Sequence, residues 1–554
     1  MKKKNFLYGA MLLTISAVIS KILGAVYRIP LTNLIGSEGI GIYQMIFPVY
    51  ALLLVVSSSG IPVFVSRLVS SEVSLKRNEN LSFIFRRALF LSAIISLVSS
   101  LLVFFLAKQL ASLQGNTFAT LGFMAVSPAI VLGSLVAVFR GYFEGLQNMK
   151  PTAISEVIEQ VAKVGLGLLL AFFLYPSGLE YGVMGAVLGI ALGEIVSLFV
   201  VFMMYVFHNK KLKQNKSDEV KSTVILLENK KQAQKDNTTF VVFEKKQFLK
   251  RMFFESLPIT FGATIVPLTL FLDSILMVNL LTNVGFSTTT ATRLFGLQAG
   301  VVGSLIHLPI IISVALSTAL LPNIVAANTV KNTQEISKKS SFSIKLVWFI
   351  AFACFLGYLL LSKNIAQFLY RDGLDNALID EMQIVINLIT MSAISIVYHS
   401  LLRIFTSLLH AINKSSVVAK NLLIASIVKI GLTVLLVSIP SINIYGASIA
   451  STIGYLVGCT ISLLSVKKRI VTQFSWQQFF MAPFVSGAIM VAIILLCQNL
   501  LVNVFPSLMV TIVSIVTAGV GYLLGLFLFK GFLKEELQQF LFFRRAFKQK
   551  QQKN

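Results

Sequence analysis

Long apolar runs separated by short polar connections recur along the whole chain. About 20 helical residues cross a bilayer core, and fourteen runs are long enough: 7–32, 40–66, 85–107, 118–147, 152–175, 182–207, 252–281, 292–325, 346–362, 382–412, 421–438, 443–466, 478–499 and 508–529. The pattern predicts an all-α membrane protein with fourteen transmembrane helices. Prolines lie well inside several spans, at Pro30, Pro48, Pro62, Pro128, Pro258, Pro267, Pro309 and Pro322. Each removes a helical hydrogen bond and favours a kink.

The pattern repeats. Phe139-Arg140 leads to Gly145-Leu146-Gln147 and Lys150-Pro151-Thr152, as Leu402-Arg403 leads to Leu408-Leu409-His410 and Asn413-Lys414-Ser415. Lys163 with Gly165 matches Lys429 with Gly431, Tyr181-Gly182 matches Tyr445-Gly446, and Pro48 and Pro62 match Pro309 and Pro322. Spans 1 to 6 and 7 to 12 read as two copies of one unit. Six is even, so the copies enter the membrane in the same sense, as parallel repeats with the substrate expected between them. The expected organisation is an N-lobe over 1–207, a basic cytoplasmic linker over 208–251, a C-lobe over 252–466, two appended helices over 467–529 and a basic cytoplasmic tail over 530–554. The linker is rich in Lys, Gln and Asn, and is expected to be mobile and to lie on anionic membrane lipids.

Composition agrees with the pattern: 56% of residues are hydrophobic, 12% are charged and the mean hydropathy is +0.84. The net charge of +25 would suggest nucleic acid in a soluble protein. Here its placement decides otherwise. Of 47 Lys and Arg, only Lys108, Lys363 and Arg371 border one set of alternate connections; seven lie in spans, and the rest, counting Arg86 and Arg87 at the head of the third span with the connection they border, lie in or beside the other set and the termini. The positive-inside rule makes that other set, with both termini, cytoplasmic. The basic excess thus marks topology and lipid contact, with no nucleic-acid partner expected. Cys354, Cys459 and Cys497 form no CxxC or even framework and read as packing residues.

The seven cations within spans are Lys21, Arg28, Arg140, Lys163, Arg293, Arg403 and Lys429. A charge at a membrane helix centre costs about 2.5–3.5 kcal/mol on insertion scales, so such groups usually face a bundle interior or wet cavity. They suggest transport of an anionic cargo. Lys21 and Arg28 are seven residues apart, on one helix face and about 10 Å apart along the axis, close enough to converge on one pyrophosphate. Arg28 and Arg293 lie nearer the outer surface, where snorkelling is the competing reading. Arg140 and Arg403 lie toward the inner ends of their spans and read as rim charges. Glu144 is placed to neutralise Arg140, and Glu159 to neutralise Lys163, by i,i+4 pairing. Lys429 has no such acid and requires a partner on another helix. Glu194 and Asp273 are candidates for binding a coupling cation or proton, or for neutralising a lysine. No metal-ligating spacing, P-loop, nucleophile elbow or HExxH motif is present, so neither an enzyme nor an ATP-driven machine is expected.

The segment Ser20-Lys21-Ile22-Leu23-Gly24 with Arg28-Ile29-Pro30, the run Gly39-Ile40-Gly41-Ile42-Tyr43-Gln44-Met45, Gly60-Ile61-Pro62, and Phe139-Arg140-Gly141-Tyr142-Phe143-Glu144-Gly145 resemble the MurJ/YtgP/SpoVB group of polysaccharide exporters. That group belongs to the multidrug/oligosaccharidyl-lipid/polysaccharide exporter superfamily, and the nearest likeness is to Gram-positive lipid II flippases. The resemblance implies two six-helix lobes around a central cationic cavity, with helices 13 and 14 forming a groove for a lipid tail. It implies translocation of an undecaprenyl-pyrophosphate-linked peptidoglycan precursor across the bacterial cytoplasmic membrane by alternating access, without a cofactor, driven by membrane potential or a coupling cation. Cell-wall synthesis proteins are candidate partners. Lys21 takes the first basic place of the group's first-helix motif, Arg28 approximates the second with a one-residue displacement, and Ala291-Thr292-Arg293-Leu294 matches its eighth-helix motif. These three are the expected cargo contacts. The second span departs from the pattern: residues 52–59 hold no basic side chain, and Arg67 lies nearer the cytoplasm. Thr292 replaces the acid of the eighth-helix motif. Another lipid-linked polysaccharide precursor, or a small molecule exchanged for a cation in multidrug fashion, are the alternative cargoes; a non-transporting scaffold would leave the span cations without a role.

Overall fold

A computed structural model of the chain describes residues 2–75, 77, 80–227, 245–329, 331–370, 380–471, 475–501 and 507–532. Every regular element among them is helical. In chain order these are α1 (Lys2–Ser58), α2 (Gly60–Ser74), α3 (Asn80–Phe105), α4 (Ala107–Leu113), α5 (Thr120–Gly145), α6 (Lys150–Leu174), α7 (Leu179–Leu227), α8 (Lys245–Asn283), α9 (Thr288–Phe295), α10 (Gly303–Thr329), α11 (Thr333–Tyr370), α12 (Glu381–Ser392), α13 (Ser395–Ala411), α14 (Ser415–Val437), α15 (Tyr445–Lys467), α16 (Ala482–Leu501) and α17 (Ser507–Leu528). Of the expected linker, α7 reaches Leu227 and α8 starts at Lys245. The stretch between, and the tail beyond 532, lie outside the described residues.

Twelve helices among the described residues are long and apolar enough to cross a membrane. A thirteenth span is the α12–α13 pair, bent by 46°. The stretch Met11–Ser74 counts once among the twelve, but its 64 residues would extend about 96 Å at 1.5 Å per residue, roughly three bilayer cores. It is interrupted twice. Gly36 adopts φ 69°, ψ −177°, a backbone that strains any residue carrying a Cβ. The second break is at Ser59, where Pro62 lacks the amide that would donate to the carbonyl of Ser58. Counted as two spans, Met11–Ser74 makes the structure compatible with fourteen. The matched Pro322 interrupts nothing, since α10 continues from Gly303 to Thr329.

The chain forms two compact units. The first comprises Met1–Leu23, Ile46–Ser112 and Thr117–Phe271. Its core joins Ile61, Phe64, Val65 and Val69 of α2 to Phe85 of α3, Phe139, Tyr142 and Phe143 of α5, and Phe248 and Met252 of α8. Phe85 is the hub, with ring centroids 4.9 Å from Phe139, 4.9 Å from Tyr142 and 4.5 Å from Tyr205. Gly141 lets α5 lie directly on α2: a Cβ there would come within 2.6 Å of the Pro62 carbonyl oxygen.

The second unit comprises Gly24–Met45, Leu113–Asn116 and Leu272–Asn554. In it, Met45 packs with Met277, Val278, Leu281, Ala291 and Leu294. A π-helical stretch, Gly296–Val302, separates α9 from α10. Such a stretch loosens the regular backbone ladder, and the Ala299 carbonyl accepts a hydrogen bond from Gln44 Nε2 at 2.5 Å. Gln114 Nε2 donates to the Met45 carbonyl at 3.0 Å and to Ser274 Oγ at 2.9 Å. The appended helices seat on α11, where Tyr522 donates to the Phe349 carbonyl at 3.0 Å and Trp348 Nε1 to that of Phe479 at 2.9 Å.

Candidate functional site

The second unit gathers its charged groups from five helices. Arg28 of α1 is half-buried and donates from Nη1 to Ser304 Oγ at 3.2 Å. Three cations, Arg28, Arg403 of α13 and Lys429 of α14, lie within coulombic range of His307 on α10. His307 is itself exposed although it belongs to a membrane helix surrounded by these groups. A polar side chain is costly against lipid, so this position suits water, and the neighbouring cations favour anions there.

Behind His307 stands a fixed stack. His399 is buried, with its ring 5.5 Å from that of His307 and stacked at 4.1 Å on Tyr455. Arg403 Nε lies 3.2 Å from His399 Nε2. A guanidinium only donates, so Nε2 accepts and the imidazole proton sits on Nδ1. Lys429 forms its ion pair with Asp273 of α8; both side chains are mostly buried, 13% and 15% exposed. Here the partner required on another helix is found in Asp273.

Arg293 stands apart from this group. Its helix α9 starts at a capping serine, Ser287, whose Oγ accepts from the amide of Thr290 at 3.2 Å. The guanidinium faces Glu38, with Nε and Nη2 both 3.3 Å from Oε2. Ser37 beside it donates to Glu381 Oε1 at 2.7 Å. Gly41 and Gly296 let α1 approach this region closely, because a Cβ on either would collide with backbone of the other segment.

In the first unit Arg140 is held by three acceptors: Glu159 Oε2 at 2.8 Å, Ser197 Oγ at 2.9 Å and, from Nε, Ser155 Oγ at 2.9 Å. The expected i,i+4 pairs, Arg140 with Glu144 and Lys163 with Glu159, are not those formed. The planar guanidinium reaches across to α6 and α7, where three acceptors match its fork, and so takes the carboxylate from Lys163. Lys163 instead sits over the Phe47 ring, 5.2 Å from its centroid. Glu194 is buried, and its Oε1 accepts from Tyr50 Oη at 3.0 Å. Lys21 on α1 and Arg67 on α2 are exposed.

The residues not anticipated from sequence are Glu38, Glu381, His307, His399 and Tyr50. Glu38 and Glu381 lie at span boundaries, where acids are ordinary. His307 and His399 carry no ligand spacing. Only a residue-by-residue account of polar groups inside spans would have raised them.

Among known proteins, the chain is 28% identical over 472 residues to stage V sporulation protein B of Bacillus subtilis (strain 168), covering 84% of this chain and 85% of that one. It is 25% identical over 480 residues to the lipid II flippase MurJ of the same organism, covering 84% and 83%. A solved structure, "Lipid II flippase MurJ, inward closed conformation", matches with a TM-score of 0.68 and 17% identity over 94% of this chain and 98% of that chain. That likeness shows the fold. Residues 6–327, more than half of the chain, match the family described as "Polysaccharide biosynthesis protein". The chain belongs to that family, and its apolar helices make it a multi-pass membrane protein.

Proposed function

We propose that the protein translocates lipid II, the undecaprenyl-pyrophosphate-linked peptidoglycan precursor, from the inner to the outer leaflet of a bacterial cytoplasmic membrane by alternating access, with both termini in the cytoplasm. The observation that carries this reading is the set of cations around the exposed His307: Arg28, Arg403 and Lys429, with Asp273 answering Lys429. Such a wall suits an anionic head group. Arg28 serves there as a forked donor, and Lys21, exposed two turns earlier on α1, offers the cargo a further point charge. Arg293 contributes once its contact with Glu38 opens.

The remaining assignments follow the same chemistry. Arg403 is oriented by His399. Arg140 with Glu159 is a structural clasp within the first unit, and Glu144 and Arg67 are inner-rim charges. An anion moving outward in an inside-negative cell gains about 2.3 kcal/mol per charge per 100 mV, so membrane potential can drive the cycle. The exposed apolar faces of α16 and α17 offer the lipid tail a path, and basic segments facing the cytoplasm meet anionic lipid headgroups.

A second reading keeps the mechanism and changes the cargo to another lipid-linked polysaccharide precursor. It is favoured by the similarity to stage V sporulation protein B, which is the higher in identity. One experiment separates the two: deplete the protein in its own cell and quantify undecaprenyl-linked intermediates by mass spectrometry, distinguishing leaflets by susceptibility to an external enzyme. Inner-leaflet accumulation of lipid II is expected. Unchanged lipid II with another intermediate accumulating refutes the lipid II assignment in favour of the second cargo, and no accumulation of any precursor refutes both.

A further inference from the structure

The first unit contains one connected set of ionisable groups inside the membrane. Arg140 acts on Glu144, Glu156 and Glu194, Lys21 acts on Glu156, and Lys163 and Glu159 act on Glu194. The set holds four carboxyl groups, Glu144, Glu156, Glu159 and Glu194, against three cations, Lys21, Arg140 and Lys163. With every carboxyl ionised it would carry an excess negative charge in a medium that screens poorly.

Three of the four carboxyl groups are better served than the last. Glu159 holds the Arg140 guanidinium at 2.8 Å. Glu156 accepts from Ser16 Oγ at 3.1 Å, and Glu144 lies in the last turn of α5, toward its inner end. Glu194 is only 5% exposed, forms no ion pair among the described residues, and has one hydrogen bond, from Tyr50 to Oε1. Its Oε2 is buried without a partner. Gly133 leaves it room, since a Cβ there would stand 2.9 Å from Oε1.

We propose that Glu194 is a proton-binding site, and that Lys163 takes the place of the proton when it leaves. The groups facing Glu194 are Tyr50 from α1, Arg140 from α5, and Glu159 and Lys163 from α6. Arg140 is already committed to three acceptors. Lys163 forms no ion pair among the described residues: its ammonium rests over Phe47, one helical turn from Tyr50, with the two rings 6.2 Å apart. A proton on Glu194 leaves Lys163 on the aromatic face. Loss of that proton to water creates a carboxylate that draws the ammonium along α1 from Phe47 toward Tyr50. One proton bound thus sets the position of one lysine between α1, α6 and α7. A metal cation fits poorly, because two cations already face the site and the described residues hold no group of three or more His, Cys, Asp or Glu suited to a metal.

This inference holds for any cargo, and its test reads protonation rather than transport. Infrared difference spectra of the full chain in lipid bilayers, recorded from acidic to alkaline buffer, should show the carbonyl stretch of one protonated carboxyl, shifted in heavy water and absent in Glu194→Gln. Tyr50→Phe keeps the carboxyl and removes its donor, so the band should move to higher frequency; this variant serves where Glu194→Gln does not fold. Lys163→Gln removes the replacing cation and should tighten proton binding at least about ten-fold, one unit on the pH axis. Identical carboxyl bands in wild type and both Glu194→Gln and Tyr50→Phe would overturn the proposal. So would loss of the band on adding sodium at fixed pH, which would make the ligand a metal cation, or an unmoved midpoint in Lys163→Gln, which would remove the lysine exchange.

Discussion

Asp273→Asn removes the carboxylate facing Lys429 and keeps its shape. Both side chains are mostly buried, 13% and 15% exposed, so an ammonium left behind cannot regain full hydration. Breaking a buried pair from one side costs about 3–5 kcal/mol, while removing both charges together is often nearly neutral. Here the lower end applies, because Asp273 Oδ1 is buried without a partner and the native pair is therefore not fully satisfied. Asp273→Asn and Lys429→Met should each cost about 3 kcal/mol, roughly a hundred-fold in the folded-to-unfolded ratio. The double variant should recover most of that loss, costing about 1 kcal/mol where additivity would give about 6, a coupling of about 5 kcal/mol. Reversible unfolding in mixed micelles, read by circular dichroism, measures all four corners of the cycle. Additive losses would refute the buried-pair reasoning, as would single variants as stable as wild type. Transport by the stable double variant then asks a separate question: whether the Lys429 charge serves cargo or only answers Asp273.

The other expectations are simpler. Arg140→Lys should destabilise almost as much as Arg140→Ala, about 3 kcal/mol, because an ammonium cannot span Glu159, Ser155 and Ser197 together; full stability of the lysine variant by the same unfolding assay would contradict this. Gly141→Ala forces α5 off the Pro62 carbonyl and should cost about 1–3 kcal/mol, with a lowered thermal midpoint; an unchanged midpoint would show that the α2–α5 contact yields freely. Arg293→Ala should abolish complementation with the folded protein still present, whereas Glu38→Gln, which releases the guanidinium, should keep activity if Arg293 serves cargo. Equal loss in both would assign the pair a structural role. Lys21→Gln combined with Arg28→Gln should weaken binding of a lipid pyrophosphate and flatten its salt dependence, measured by native mass spectrometry or fluorescence quenching.

Hydropathy alone determined the helical membrane class and most span positions, because a bilayer requires each crossing segment to satisfy its backbone internally and to be about 20 residues long. It also separated the first two spans, 7–32 and 40–66, on either side of Gly36, but it placed no break at Ser59 inside the second span, while α10 runs on through Pro322. Sequence also identified the cations inside the spans, since their cost is a property of position along the chain.

Their partners were another matter. An i,i+4 pair on a helix contributes about 0.2–0.5 kcal/mol, and a guanidinium offered three acceptors on neighbouring helices takes those instead. Arg140 therefore met Glu159, Ser155 and Ser197 rather than Glu144, and Lys163 was left over Phe47. Lys429 met Asp273, 156 residues away, and Arg293 met Glu38, 255 residues away. Each of these choices compares groups distant in sequence, so it is made only when the helices pack. The sequence determined which charges enter the membrane; tertiary packing decided which partners they meet, and left Glu194 buried with no ion pair among the described residues.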